Sequence, residues 1–190
     1  NTNRFNFNSV LNSRIGNHLD LTVGLSYQTQ QNHYYKKVED LLGGDFYVNL
    51  NQFAERDFGV GSGVNQFDVD RPNRILQVGD RFGYDYNLNI SRAASWVQGV
   101  FKFNKLDFFL AGNIYATSFH REGNVRNGIF PNESLGKGAV NNFLDYAAKA
   151  GVTYKLNGRN YLFVNGAYLT RAPYFENVYI SPRTRNAQQS

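Results

Sequence analysis

The alternation in Leu19-Asp20-Leu21-Thr22-Val23-Gly24-Leu25-Ser26-Tyr27-Gln28-Thr29 constrains this chain more than any other feature. Leu19, Leu21, Val23, Leu25 and Tyr27 share one parity, while Asp20, Thr22, Gly24, Ser26 and Gln28 share the other. Such a period of two belongs to a strand with one apolar and one polar face. Its length adds a second constraint. A strand crossing a bilayer at a tilt needs roughly 9–11 residues, whereas strands of globular proteins are more often about 5–6. The stretch therefore predicts a transmembrane β-barrel strand.

Its neighbours are built the same way. Upstream, Phe5, Phe7, Leu11 and Ile15 alternate with Arg4, Asn6, Asn8, Asn12 and Arg14. A turn at Gly16-Asn17-His18 would pair Ile15 with Leu19 and put both apolar sets on one face, as a hairpin requires. Downstream, Val97, Gly99, Phe101 and Phe103 oppose Trp96, Gln98, Val100 and Lys102. After a turn at Asn104-Lys105, Leu106, Phe108, Leu110, Gly112 and Ile114 continue the apolar parity. A third hairpin sets Tyr146, Ala148, Ala150, Val152, Tyr154 and Leu156 against Leu162, Val164, Gly166 and Tyr168. A three-residue turn at Asn157-Gly158-Arg159 is predicted there, because it keeps Asn165 off the apolar face. Pro173 is expected to close the last strand. Tyr27, Tyr115, Tyr146 and Tyr168 fall near the far ends of strands, where an aromatic girdle would sit.

Composition limits the alternatives. With no Cys, the 190-residue chain has no disulfide, thiolate metal site or cysteine nucleophile. It has no Met and begins Asn1-Thr2-Asn3, which predicts a processed chain or a fragment. No apolar run approaches the roughly 18–20 residues of a spanning helix, so any membrane crossing must be by strands. A mean hydropathy of −0.49 fits that reading, since only alternate barrel residues face lipid. The net charge of +5 is scattered, with Lys36-Lys37 the only adjacent basic Lys pair, and predicts no nucleic-acid partner.

Between the alternating segments the pattern dissolves, from Gln30 to about Ser91 and again from about Phe119 to Asn142. Loops of that length usually carry function. Within the first, Asn51 is expected to cap a short helix over 51–56, and Val38 to Leu42 to form another that stops at Gly43-Gly44. The Gly59-Val60-Gly61-Ser62-Gly63 run is expected to be mobile. It is no phosphate loop, lacking the Gly-Lys-Ser/Thr ending. Short turns at one end and long loops at the other form the arrangement of outer-membrane barrels.

The ligand-binding candidates are placed in these excursions. Tyr34, Tyr35, Phe46, Tyr47, Trp96 and Tyr115 are aromatics able to stack on sugar rings or a flat chelate. Arg71, Arg74, Arg121 and Arg126 are able to attract an anionic ligand or the phosphates of an outer leaflet. Asp68-Val69-Asp70-Arg71-Pro72-Asn73 alternates oxygen ligands but lacks the glycine and distal acid of a calcium loop, so no metal and no cofactor are assigned. His18, His33 and His120, in a turn and two loops, form no catalytic motif, and no catalytic residue or enzyme activity is expected.

The runs Val48-Asn49-Leu50-Asn51-Gln52-Phe53-Ala54-Glu55-Arg56-Asp57-Phe58, Asn160-Tyr161-Leu162-Phe163-Val164-Asn165-Gly166-Ala167-Tyr168 and Thr170-Arg171-Ala172-Pro173-Tyr174-Phe175-Glu176-Asn177, continuing into Ser181-Pro182-Arg183-Thr184-Arg185-Asn186, carry a family resemblance. In them the chain resembles the barrel of a TonB-dependent outer-membrane receptor of the Bacteroidetes type. The resemblance implies an all-β fold, an antiparallel barrel of about 22 strands filled by a plug, with long extracellular loops. It also implies import of a siderophore, glycan or peptide across the bacterial outer membrane. The partners implied are outer-membrane lipid and lipopolysaccharide, the TonB complex, a surface lipoprotein and the nutrient itself. Residues 1–190 supply about three hairpins, so they are expected to be part of one barrel domain, with plug and remaining strands elsewhere.

Two other readings follow from the same residues. One is a barrel without active transport, serving adhesion or assembly. The other is a soluble β-sandwich binding module, in which Leu21, Val23, Phe101, Phe108 and Val152 would be covered by protein rather than facing outward.

Overall fold

A computed structural model describes residues 1–59 and 63–189. In chain order its elements are β1 (Thr2–Ile15), β2 (Leu19–Lys37), β3 (Tyr47–Val48), α1 (Gln52–Phe58), β4 (Ile75–Leu76), β5 (Arg81–Lys102), β6 (Leu106–Gly123), β7 (Gly136–Lys137), β8 (Asn141–Lys155), β9 (Tyr161–Leu169) and α2 (Phe175–Val178). The chain is all-β. Six long strands form one antiparallel sheet in the order β1-β2-β5-β6-β8-β9, each pairing with the next in sequence among the long strands. The short β7 adds to β6, and β3 pairs with β4 apart from the main sheet. Among the described residues the sheet does not close, and β1 and β9 are its edges.

The three hairpin registers follow the alternation. Ile15 pairs Leu19 around Gly16, whose φ of +61° is the left-handed conformation that glycine adopts without strain. Lys102 pairs Asp107, and Phe103 donates its amide to the Leu106 carbonyl across Asn104-Lys105. Lys155 pairs Tyr161, and the Leu156 amide reaches the Asn160 carbonyl, leaving Asn157-Gly158-Arg159 as the turn. Asn165 consequently lies opposite Gly151 on the polar face.

These registers gather all six apolar parities on one face. Leu11, Val23, Val97, Gly112, Ala148 and Tyr168 form one continuous row across the sheet. Among the described residues nothing covers this face: Leu11, Leu25, Leu110, Ile114 and Val164 are all more than half exposed. Aromatic rings border it at both ends. Phe101 stacks on Phe108 at 4.4 Å, beside Phe103 and Tyr154, near the short turns. Tyr27 lies opposite Phe7, and Tyr146 lies 5.9 Å from Tyr168, toward the far end. Tyr115 does not join them, because it pairs Ala94 and Asp145 on the polar face.

The polar face carries a charge belt near the short turns. Asp20 accepts from Arg14 at 3.1 Å and Lys102 at 2.7 Å, while Asp107 accepts from Lys155 at 2.8 Å. These pairs tie β1, β2 and β5, and separately β6 and β8, through side chains as well as backbone.

The strands run beyond the predicted ends, and this is the main correction to the loop boundaries. β2 continues to Lys37 and β5 begins at Arg81, where sequence alternation of a single parity stops near Thr29 and resumes near Trp96. Past the apolar band the polarity of the two faces inverts. On β5 the parity of Phe101, Gly99 and Val97 continues as Ser91, Asn89, Asn87 and Asp85. The opposite parity, which begins Lys102, Val100, Gln98, becomes Ile90, Leu88 and Tyr86. On β6 the polar-face positions Asn113 and Thr117 give way to a buried Phe119. His33 and His120 accordingly lie on strands, not in loops.

The first excursion, 38–80, has its own order. α1 is capped by Asn51, whose side chain accepts from the Ala54 amide. The helix expected over Val38 to Leu42 does not form. The Val38 amide and carbonyl bond to Asp80 and Gly79, which holds it extended, and Leu42 takes φ +51° with its amide on the Asp40 side chain. Residues 60–62 of the glycine run lie outside the described residues.

Candidate functional site

Beyond the apolar band the polar face is covered by chain. After β9 the segment 170–189 folds back across it, closed on itself by bonds from Ile180 to Ala187 and from Gln189 to Val178. Tyr179, buried to 1% exposure, packs with Leu88 and Phe119, and Ile90, Phe143, Phe175 and Val178 surround them. Tyr34 stacks on Tyr86 at 5.1 Å, next to Phe175. The inversion of parity on β5 and β6 has its physical reason here, since this face meets packed apolar side chains while Ser91, Asn89 and Asn87 on the other stay partly open to solvent.

Arg121 holds that segment in place. Its backbone amide donates to the Tyr179 hydroxyl, its Nε to the Pro182 carbonyl, and its Nη1 to Ser134 carbonyl and Asn186 Oδ1. The guanidinium also lies 5.0 Å from the Tyr86 ring centre. Burial pushes the Arg121 pKa down to about 10, and it remains a cation at neutral pH. Burial likewise pushes the Tyr86 hydroxyl up to about 12.

Between this strap and the polar face lies a cavity of about 470 Å³. Its floor is set by strands: Arg92 on β5, Asn113, Tyr115 and Thr117 on β6, Asp145 and Lys149 on β8. Its roof is the stretch from Thr170 to Phe175. Polar-face parity on adjacent strands brings these groups together, and Tyr115 sits directly opposite Asp145.

A second pocket, of about 320 Å³, lies where the first excursion meets β5. It contains Arg71, Arg74 and Arg81, and each is paired with a carboxylate: Asp68 at 2.9 Å, Asp80 at 3.3 Å and Asp85 at 3.1 Å. Asp85 also accepts from Asn124 and lies 2.6 Å from His33 Nε2. Burial raises the pKa of Asp85, but hydrogen bonds from Asn124, His33 and Arg81 outweigh it and hold the carboxyl below its ordinary range. The two excursions are joined as well: Arg126 pairs Asp70 at 3.2 Å, its carbonyl accepts from Val69, and Gly128 donates to Gln66.

The sequence candidates therefore separate into groups. Arg71 and Arg74 share the second pocket, and Arg126 stands beside it on Asp70. Phe46 and Tyr47 line another hollow with Val38 and Phe82, against which Tyr47 packs edge-on at 5.6 Å. Tyr34 and Tyr35 lie on strand β2 rather than in a loop and face opposite sides, Tyr35 beneath the Arg81 guanidinium at 4.5 Å. Trp96 lies mid-strand on the polar face, flat across Gly24, and is likewise no loop residue. Arg121 is 1% exposed with its Nε and Nη1 donating to Pro182, Ser134 and Asn186, so it is a structural clamp instead of a free anion ligand. Tyr115 does line a cavity, the one under the strap. Arg92, Asp145 and Lys149 were not singled out from the sequence. Their signal was available as cations and an acid on the polar parity, but only the return of the C-terminal segment marks them off.

Compared with known proteins, no family model, no curated protein and no solved structure matches the chain.

Proposed function

We propose that the chain is a section of a transmembrane β-barrel in a bacterial outer membrane, part of a TonB-dependent receptor of the Bacteroidetes type that captures a nutrient and imports it. The inversion of polarity along β5 and β6 carries this reading. A sheet in one solvent keeps one wet face along its length. Here the uncovered face is apolar over one stretch and polar beyond it, as though it passed from lipid into water. From Leu19 to Tyr27 the apolar stretch measures about 27 Å along the strand at about 3.4 Å per residue, or about 21 Å at a tilt of about 40°. That is close to the roughly 25 Å band of outer-membrane barrels, and the bordering aromatic rings suit its two interfaces. In lipid the free edges of β1 and β9 require further strands, which supports a larger barrel. The polar face with its strap and cavity would then look into the lumen.

Two measurements test the reading separately. Full-length protein should fractionate with outer membranes and migrate differently on gels before and after heating; a soluble fraction alone would reject the barrel. Removing the TonB-contacting segment from the full-length gene should abolish nutrient uptake, and undiminished uptake would reject active transport while leaving the barrel intact.

A further inference from the structure

The net charge of +5 is scattered along the sequence but not in space. Strand register assigns every charged residue of the six long strands to one of the two faces of the sheet. The polar face holds eight cations and three carboxylates, so the whole surplus of +5 stands on it. The opposite face balances, with Lys37 and Arg81 against Asp85 and Glu122. The remaining segments balance as well, with ten of each sign.

Arg14, Lys102 and Lys155 of the polar face are tied to Asp20 and Asp107 near the short turns. Arg4, Lys36, Arg92, Arg121 and Lys149 pair with no carboxylate among the described residues. Of these only Arg121 is buried, and the other four present their charge to solutes. The segment that covers the far end of this face adds to the surplus, since 170–189 carries Arg171, Arg183 and Arg185 against Glu176 alone. The compensating acid lies in residues 38–80, where eight carboxylates face three arginines. That excursion joins β5 at Arg81, eleven positions from Arg92 and roughly 35 Å away along the strand. A Debye length is about 8 Å at physiological ionic strength, so the two sets do not cancel at mid-sheet.

We propose that the polar face is an anion-collecting wall, which concentrates small anionic solutes along the sheet and repels cations of the same size. A surface of one sign raises the local concentration and the encounter rate of solutes of the other. The occupant is a small solute and not an acidic chain segment, because the one segment that folds over this face is itself basic. The inference rests on the barrel reading only in calling this face a lumen; its field requires the register and the charges alone.

The test is the rate at which an introduced thiol reacts with an anionic and a cationic methanethiosulfonate, the sulfonatoethyl and trimethylammonioethyl reagents, in full-length protein held in uncharged detergent micelles. Residues 1–190 contain no cysteine, and the parent protein supplies the background. Ala167→Cys, directly across from Lys149, and Ala94→Cys, two positions from Arg92, probe the polar face. Gln31→Cys, paired with Asn89, probes the opposite face beyond the apolar band. With each rate divided by that of free 2-mercaptoethanol, the anionic reagent should be favoured at least about fivefold at both polar-face sites in dilute buffer, and less than about twofold at Gln31→Cys. Salt at about 0.5 M should bring all three ratios toward one. Lys149→Gln should lower the ratio at Ala167→Cys about twofold, and Arg92→Gln should do the same at Ala94→Cys. Equal preference at all three sites, no reaction with either reagent at the polar-face sites, or complete loss of the preference on removing one cation would overturn the proposal. A preference that persists in protein found wholly in the soluble fraction would reject the barrel and leave the wall standing, so the two readings fail separately.

Discussion

A Cβ built on Gly24 would lie 2.2 Å from Nε1 of Trp96, because the indole crosses the polar face directly over that glycine. No rotamer adjustment at a methyl relieves such an approach, so the ring itself must move. Gly24→Ala should therefore destabilise the sheet by roughly 1–3 kcal/mol and shift the indole emission. Combining it with Trp96→Ala should recover part of the loss, since the two residues share one contact. Denaturant midpoints and fluorescence of the three variants check this, and additive effects would contradict it. Arg121 gives the complementary lesson. As a sequence feature it is one more basic residue of the second excursion, yet its guanidinium donates to oxygens of two segments, Ser134 in that excursion and Pro182 and Asn186 in the returning C-terminal stretch. Nothing local in residues 119–123 announces that, because Pro182, Ser134 and Asn186 are remote in sequence.

At the scale of elements, β5 and β6 each have two stretches with opposite polarity. Tyr84, Tyr86, Leu88 and Ile90 do alternate with Asp85, Asn87, Asn89 and Ser91, but on the parity opposite to Val97, Gly99 and Phe101. A window spanning Arg92-Ala93-Ala94 sees the two patterns cancel, which is why β5 looks as if it starts near Trp96. The same exchange occurs on β6 between Ile114 and Phe119. If the uncovered face meets lipid, charge will be tolerated there according to depth. Leu110→Arg, at mid-band, should destabilise by roughly 2–4 kcal/mol, whereas Ser91→Arg, beyond the band on the same face, should change stability by less than about 1 kcal/mol. Reversible unfolding in lipid vesicles measures both, and equal effects would count against a lipid boundary.

For the whole molecule, the excursions and the C-terminal segment behave as one body fastened to the far end of the sheet. Asp85 is one of its fasteners, linking β2 through His33, β5 through Arg81 and the second excursion through Asn124. Its folded pKa is held below the unfolded value, so the stabilisation is present above an unfolded pKa of about 3.9 and is lost as pH falls through the lower folded value. Amide exchange at His33, Arg81 and Asn124 should accelerate below about pH 4 in the wild type. Asp85→Asn should show faster exchange already at neutral pH and a flatter response to acid. A response identical to that of the wild type would remove Asp85 from this role.

What the sequence determined by itself was local. Parity within a strand fixes which side chains share a face, and turn length fixes register, so the hairpins at Gly16, Asn104 and Asn157, the cap at Asn51 and the placement of Asn165 all follow from near neighbours. What only the tertiary structure decided was coverage. Whether a face is buried depends on which remote segment returns to it, and the return of 170–189 set the true reach of β5 and β6 and buried Arg121 and Asp145. A period of two states that a strand has two faces; it does not state what each face will touch.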